Sequence, residues 1–279
     1  MTAATVLAGC GRLENRRHAF PDSLYGPAPS ASAPAAPSGT PSAAPSGAAE
    51  SGKSPTATPG SGAGASGEPY GDLTVAQLLD KAEEAAAEVR TVRVVADLDD
   101  EGQRSAFDIH YDRETGDLAG SVEVAGYTVE ILRRGDDAWY KGEAAYWRAS
   151  GAPADVARQI GDKYLHIPST HAAFANLDQF EEVADPAAFL ATLTKPRRQT
   201  ALVHQGQKQI PVEGYSSGDP ATVYLSVERG LVPVRVADSG TGSAIDYRDL
   251  DKPVVVTTPP ASRVVDIEDV SADVRLPTA

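Results

Sequence analysis

The sequence of 279 residues lacks the features that define several major protein classes. It contains one cysteine, which excludes an intramolecular disulfide framework. It contains no run of 18 or more apolar residues, and therefore no candidate transmembrane helix. Basic residues are few, with 25 Lys and Arg against 39 Asp and Glu. The resulting formal charge of −14 argues against binding to nucleic acid, because phosphate contacts need clustered Lys and Arg.

The negative charge is confined to one part of the chain. Residues 1–69 carry four acidic and four basic side chains, so residues 70–279 carry the other 35 acidic and 21 basic ones. The hydrophobic share of 41% is sufficient for a core, and the length fits one or two domains. The chain therefore divides into a neutral N-terminal part and an acidic part that can fold.

The cysteine lies in a motif that is typical of lipid-modified proteins. Leu7-Ala8-Gly9-Cys10 matches the lipobox of bacterial lipoproteins, in which the cysteine is acylated and becomes the first mature residue. A small residue before the cysteine lets the signal peptidase approach the backbone, and a thiolate is the nucleophile that accepts the diacylglyceryl group. The alternative is a short hydrophobic segment around a buried cysteine. Residues 1–9 are too short for a complete secretory signal and lack a basic residue, so we interpret them as a truncated signal-peptide remnant. A start codon assigned too far downstream would explain this.

A low-complexity segment follows. Residues 27–69 contain no Val, Ile, Leu, Met, Phe, Trp or Tyr, and nine of the 21 prolines fall in these 43 residues. Such a segment cannot bury enough apolar surface to offset its ordering entropy. Residues 62–67 match the dinucleotide-binding pattern G-x-G-x-x-G, but without a preceding strand or a following helix the match is a coincidence of composition. We therefore predict that residues 10–69 form a lipidated N-terminus and a disordered tether.

Residues 70–279 show two kinds of hydrophobic spacing. Thr74 and Gln77 form a capping box, and the apolar residues after them predict an amphipathic helix of about 16 residues. From residue 92 onward, apolar and polar residues alternate as in strands with one buried face. The predicted strands are 92–98, 107–111, 118–124, 127–131, 199–205, 209–215, 221–228, 231–238, 243–248 and 253–257, with helices at 153–160 and 186–193. The absence of β-α-β alternation predicts an α+β fold with a curved antiparallel sheet and helices on one face.

Two motifs suggest chemistry but favour ordinary turns. Gly214-Tyr215-Ser216-Ser217-Gly218 matches the nucleophile elbow G-x-S-x-G. That motif needs a strand-to-helix turn and a later histidine, whereas here a strand follows and His204 lies upstream. A hairpin turn is therefore the better interpretation. No catalytic residue and no cofactor are predicted.

A second pattern concerns calcium. Asp97, Asp99, Glu101, Gly102 and Asp108 occupy positions 1, 3, 5, 6 and 12 of a calcium-binding loop. Predicted strands flank it instead of helices, and Asp rather than Glu ends it, so a solvated hairpin tip is favoured over a calcium site. The histidines lack metal-ligand spacing, and no metal site is predicted.

The order of several segments resembles a known family. The segments are 136–142 running into 145–147, then 161–165, 231–236, 245–247 and 252–256, with Pro259-Pro260 and Val264-Val265-Asp266 behind them. Residues 70–279 in this respect resemble the LolA-like lipoproteins of actinobacteria, the LppX/LprAFG family. The resemblance implies an incomplete, half-open barrel whose concave face is closed by helices and holds acyl chains of lipids or lipoglycans in transit through the cell envelope. It also implies no catalytic residues.

The resemblance and the tether together predict a LolA-like lipid-binding domain over residues 70–279, anchored by Cys10 at the extracytoplasmic face of the cell membrane. The expected partners are a lipid or lipoglycan ligand, the membrane and an envelope protein. The candidate lining residues are the apolar ones expected to point inward: Val94, Phe107, Ile109, Val122, Val124, Val129, Ile131, Trp139, Phe174, Phe180 and Phe189. Ordinary core packing is the alternative for each. It would suit a non-transporting interaction or sensory lipoprotein with a filled core.

Overall fold

The computed structural model describes residues 67–100 and 103–270. The predicted signal-peptide remnant, Cys10 and nearly all of the predicted tether lie outside these residues. Lipidation of Cys10 and disorder of the tether therefore stay predictions.

The described chain opens with helix α1 (Val75–Ala87). The predicted capping box is present: Thr74 Oγ1 accepts the Gln77 amide at 3.3 Å, and Gln77 Oε1 accepts the Thr74 amide at 3.0 Å. Leu78, Ala82 and Ala86 are fully buried, one turn apart on the same side of the helix. The helix and its buried stripe agree with the prediction, although it ends sooner than expected.

Five consecutive strands form a meander after α1. They are β1 (Thr91–Asp100), β2 (Gln103–Asp112), β3 (Leu118–Val124), β4 (Tyr127–Arg134) and β5 (Asp137–Lys141), and each pairs antiparallel with the next. Gly120, on the helix-bearing face of β3, lets the backbones of β3 and β2 lie close together. A Cβ there would lie 2.2 Å from the Asp108 carbonyl oxygen and 2.6 Å from Ile109 Cα, which no larger residue tolerates.

Short helices interrupt the sheet. Helices α2 (Ala144–Ala149) and α3 (Ala154–Ile160) lead to β6 (Tyr164–Pro168). A 3₁₀ helix (Ala172–Leu177), α4 (Gln179–Ala184) and α5 (Ala188–Thr192) then form what we call the helical cover, residues 172–192. Within the cover, the 3₁₀ helix contacts β6, α4 contacts β1 and β2, and α5 contacts β9.

The predicted helix at 186–193 begins slightly later than expected. Asp185 ends α4, and its carboxylate accepts the Ala187 amide at 3.0 Å, so α5 starts at Ala188.

The second half of the chain adds the remaining strands. They are β7 (Thr194–Arg198), β8 (Leu202–His204), β9 (Gln207–Ser216), β10 (Asp219–Ser226), β11 (Pro233–Asp238), β12 (Ala244–Arg248) and β13 (Val264–Asp266), the last flanked by 3₁₀ helices Ala261–Arg263 and Ile267–Asp269. Strand β12 pairs with β1 and joins the two halves into one sheet. The strand order is β13-β6-β5-β4-β3-β2-β1-β12-β11-β10-β9-β7, with β8 beside β7 along β9. In the described chain the edge strands β13 and β7 do not pair, so the sheet stays open.

The predicted fold class is confirmed: α+β, with an open, almost entirely antiparallel sheet and helices on one face. The exception to antiparallel pairing is β13, which runs parallel to β6. The described residues form thirteen strands, more than the ten predicted ranges. The hairpin turn at Ser217-Gly218 is confirmed, since it joins β9 to β10. Asp97 and Asp99 lie in β1 and Asp108 in β2, as expected for a hairpin rather than a helix-flanked loop.

One predicted strand, 253–257, is wrong. The segment forms no strand pairing and instead crosses the face of the sheet opposite the helical cover, which we call the outer face. Val256 packs there against Leu132 and Trp139 in a small cluster separate from the main core. The run of three valines has the composition of a strand, but only Val256 is buried, and Val255 is 76% exposed.

Candidate functional site

The candidate site is the helix-bearing face of the sheet, called here the inner face. It follows from period-two alternation, which sends every second residue of β1–β4 to the same side. The predicted lining residues of these strands meet there in one continuous cluster, each at most 4% exposed: Val94, Phe107, Ile109, Val122, Val129 and Ile131. Val124 is half-buried at the margin of this cluster. The register places Val94, Ile109, Gly120 and Ile131 side by side across four strands.

The helical cover supplies the opposing apolar surface. Phe180 is fully buried, and Phe174 and Phe189 are 8% and 4% exposed, all in the cluster formed by the inner face. Sequence reasoning missed Leu177, Val183 and Leu190 of the cover. The short helices give only one or two turns of periodicity, too little to assign a buried side from sequence. In this conformation the cover and the sheet pack directly against each other.

Trp139 is the exception and corrects the prediction. In β5, Ala138 and Tyr140 face the main core, so Trp139, one residue out of phase, lies on the outer face. It stacks on His166 with ring centroids 5.7 Å apart. The side chain is buried as predicted, but the 253–260 segment, not the helical cover, buries it.

Two tyrosine hydroxyls are polar atoms within this apolar interior. The hydroxyls of Tyr140 and Tyr247 are buried without a hydrogen-bond partner among the described residues. Burial raises the pKa of both far above the ordinary value of tyrosine, so both stay neutral donors. An unsatisfied buried hydroxyl costs about 1–3 kcal/mol. A ligand carbonyl that accepted these hydrogen bonds would recover that energy. Tyr140 lies two residues after Ala138, and Tyr247 lies two residues after Ile245. Strand alternation in the sequence could therefore have placed both tyrosines on the inner face.

Arg113, in the turn after β2, joins the cover to α1. Its Nη1 donates to the carbonyl oxygens of Ala86 and Val89, both at 2.8 Å, at the end of α1. Its Nη2 lies 3.1 Å from Asp185 Oδ1, between α4 and α5. The positive charge also suits the negative end of the α1 dipole. One side chain thus connects two elements that the sequence separates by about a hundred residues.

Arg133, at the end of β4, makes a second contact with the cover. Its guanidinium lies 4.9 Å from the centroid of the Phe174 ring, a cation–π contact. Its Nη1 is 3.5 Å from Asp178 Oδ1 but donates no hydrogen bond. The contact with Asp178 is therefore purely electrostatic.

A charged cleft lies where these contacts meet the solvent. It has a volume of about 710 Å³ and lies between the end of α1, the β2–β3 turn and the cover; we call it the rim cleft. Five carboxylates and two arginines line it, with Val89 and two alanines: Ala87, Val89, Arg90, Arg113, Glu114, Asp178, Glu181, Glu182, Asp185 and Ala188. Desolvation and the nearby Glu181 raise the pKa of Tyr111. The lining suits water rather than acyl chains.

On the outer face, His166 lies between two carboxylates. Its Nδ1 is 2.5 Å from Asp266 Oδ1 in β13, and its Nε2 is 2.8 Å from Asp137 Oδ1 in β5. Desolvation lowers the pKa of His166, but the hydrogen bonds and charges of Asp266 and Asp137 outweigh it, so the pKa is raised. This arrangement connects the parallel edge strand to the sheet. No group of three or more His, Asp or Glu within the described ranges could hold a metal ion.

None of the helices in residues 67–100 and 103–270 is long and apolar enough to cross a bilayer. No protein-family model matches the chain, and no curated protein matches it either. Among solved structures, LprF from Mycobacterium bovis is similar in fold, with 14% identity and a TM-score of 0.48, over 69% of this chain and 99% of LprF. The lipoprotein LppX from Mycobacterium tuberculosis is similar over 66% of this chain and 100% of its own, with 15% identity and a TM-score of 0.44. A conserved protein from Thermus thermophilus is similar at 8% identity and a TM-score of 0.36, over 70% of this chain and 99% of its own. LprF and LppX carry names of the family that residues 70–279 resemble in sequence.

Proposed function

We propose that this protein is a membrane-anchored envelope lipoprotein that binds and shuttles lipids or lipoglycans by holding their acyl chains between the sheet and the helical cover. The observation that carries the proposal is the inner face itself. It is a continuous apolar surface on an open sheet, and the 3₁₀ helix and two helices of six and five residues cover it. Acylated Cys10 would anchor the chain, and the tether would give the domain reach.

Short helices make a movable cover. Isolated helices of fewer than about 12 residues are marginal in water, so the cover owes its structure to the apolar surface beneath it. Acyl chains that enter between the two surfaces present the same apolar character to both. Moving the cover onto the chains therefore preserves most of its hydrophobic burial, and the chief cost is the loss of the Arg113–Asp185 and Arg133–Asp178 contacts.

The tyrosine hydroxyls favour an acylated ligand over a plain hydrocarbon. Tyr140 and Tyr247 offer two unused donors inside the apolar interior. An ester or amide carbonyl at the start of an acyl chain is an acceptor of the right kind. Lipids and lipoglycans both carry such carbonyls, and the chains themselves contribute about 0.8 kcal/mol per buried CH₂.

Photolabelling tests this assignment directly. The full chain is incubated with a diacyl lipid that carries a photoactivatable group near the end of one chain, and the labelled peptides are mapped. Labelling on the inner face of residues 107–131 supports the proposal, whereas labelling confined to the outer face around Trp139 contradicts it. Phe107→Ala and Trp139→Ala form a matched pair, since both delete a large buried aromatic. Phe107→Ala should lower lipid affinity, and Trp139→Ala should leave it unchanged.

A second candidate is a non-transporting interaction or sensory lipoprotein. It is favoured by the direct packing of the cover on the sheet, which leaves the predicted lining residues buried among protein side chains. In that case the diacyl probe would label no inner-face peptide, and destabilising the cover would not create uptake.

A further inference from the structure

One edge of the sheet differs in charge from the rest of the molecule. No Asp or Glu occurs between Asp185 and Glu213, and four basic residues fall in that interval: Lys195, Arg197, Arg198 and Lys208. The chain as a whole has a formal charge of −14. We call β7, β8 and the strand β9 that pairs with both of them the basic edge.

The same edge exposes large apolar side chains. Leu202, Val203 and Tyr215 are 39%, 71% and 45% exposed. They are three of the four large hydrophobic residues that are exposed in the described part of the chain. Val203 projects from β8, whose hairpin with β9 turns at Gln205-Gly206. A protein of this acidity has no need of a basic, apolar edge for solubility.

Two of the four basic residues of this edge, Lys195 and Arg197, are available for a partner. Lys195 Nζ lies 5.9 Å from the centroid of the Tyr215 ring, and neither Lys195 nor Arg197 forms an ion pair with a described residue. Arg197 is opposite Glu213 in the sheet, but the Glu213 carboxylate instead accepts a hydrogen bond from Gln199 Nε2 at 2.7 Å.

The start of the described chain is held at this edge. Arg198 donates to the carbonyl oxygens of Pro69 and Tyr70, both at 2.5 Å, and lies 3.5 Å from Glu68 Oε2. The 66 residues that carry the predicted anchor therefore join the domain beside the basic edge. An anchored domain would present this edge to the bilayer more readily than its acidic surface.

We infer that the basic edge is a docking surface for an anionic lipid bilayer. Lys195 and Arg197 contact the headgroups, while Val203, Leu202 and Tyr215 enter the interfacial region, where Tyr is favoured. The acidic remainder of the domain is repelled by the same membrane, so the two effects together orient the domain with the basic edge down. Docking through the basic edge does not require a bound cargo.

Protection of an edge strand is a competing explanation. Lys, Arg and Pro on an edge strand prevent pairing with another chain, and Lys195, Pro196 and Arg197 fit that role. Protection does not account for Val203, because an exposed valine on an edge favours association instead.

Vesicle flotation tests the inference. The full chain is prepared as Cys10→Ser, so that no acyl anchor contributes, and mixed with phosphatidylcholine vesicles with or without phosphatidylglycerol. We expect binding only to the anionic vesicles, and loss of binding in high salt as the Debye length falls from about 10 Å at 0.1 M to about 3 Å at 1 M. Since each basic residue near an anionic surface contributes about 1 kcal/mol, Lys195→Gln/Arg197→Gln should lower the partition coefficient about 30-fold.

Arg148→Gln/Arg158→Gln is the matched control, because both arginines are exposed and the change in net charge is identical. It should leave partitioning nearly unchanged. Leu202→Ser/Val203→Ser should weaken binding at constant charge. Absence of binding to anionic vesicles would overturn the inference. Equal losses of binding in Lys195→Gln/Arg197→Gln and in the control Arg148→Gln/Arg158→Gln would also overturn it. Neither result bears on lipid uptake, which the photolabelling measures separately.

Discussion

Arg113→Met is the substitution that best separates stability from opening of the cover. Arg113 bridges the end of α1 and Asp185. Methionine keeps an unbranched, flexible side chain but is shorter and removes all donors. Loss of a donor to the Val89 carbonyl costs about 1–3 kcal/mol, whereas the Ala86 carbonyl still accepts the Val89 amide at 3.2 Å. The partly exposed ion pair with Asp185 adds about 1 kcal/mol.

The expected loss is therefore about 3 kcal/mol of the free energy of unfolding, from a total of about 5–15 kcal/mol. For a domain of this size, each kcal/mol lowers Tm by about 2–4 °C, so Tm should fall by about 6–12 °C in differential scanning calorimetry. Arg158→Met is the control, because Arg158 is exposed in α3, and its Tm should not change measurably.

Asp185→Asn separates the two roles. It removes the ion pair with Arg113, and the asparagine carbonyl can still accept the Ala187 amide. Movement of the cover breaks this pair but leaves the contacts of Arg113 with α1 intact. Uptake of a fluorescent diacyl lipid should therefore be about fivefold faster in both variants, which corresponds to about 1 kcal/mol. The Tm of Arg113→Met should be several degrees lower than the Tm of Asp185→Asn. An unchanged Tm in Arg113→Met, or unchanged uptake in Asp185→Asn, would show that Arg113 does not hold the cover to α1.

Three further predictions concern the fold. Gly120→Ala should destabilise by several kcal/mol in urea unfolding, because its Cβ would overlap the β2 backbone; a cost below about 1 kcal/mol would contradict the described register. Phe180→Ala should cost about 3–5 kcal/mol, and a much smaller loss would show that the cover is loosely packed. Because the pKa of His166 is raised in the folded state, protonation of His166 stabilises the fold at pH values below its ordinary pKa of 6.5. This stabilisation is lost as the pH rises through the raised pKa. The Tm advantage over His166→Gln should accordingly shrink as pH increases through that interval, and a constant difference would contradict the role of the charge.

Alternation of apolar residues was enough to predict the inner face. Phe107, Ile109 and Tyr111 repeat with period two, and a strand with one buried face allows no other arrangement of such residues. The capping box at Thr74 and the turn at Ser217-Gly218 are also local signals. Local signals predicted the elements and their orientation because each depends on residues a few positions apart.

Contacts between distant segments could not be predicted in this way. Arg113 and Asp185 carry no pattern that links them, and the parallel pairing of β13 with β6 rests on three residues at the end of a long connection. Trp139 was misplaced because no strand was predicted at 137–141, so its phase relative to Ala138 and Tyr140 was not considered; that phase puts it on the outer face. The valines at 254–256 have strand-like composition, but the segment crosses the outer face, where Val256 packs against Leu132 and Trp139 without strand pairing.

Native mass spectrometry of the protein purified from a membrane-bearing host tests whether the inner face holds acyl chains. We expect a population that carries an additional mass equal to that of an intact acylated lipid or lipoglycan, lost in Phe107→Ala and kept in Trp139→Ala. Protein that is entirely lipid-free, and that also fails to take up an added fluorescent diacyl lipid, would show that the inner face holds no acyl chains.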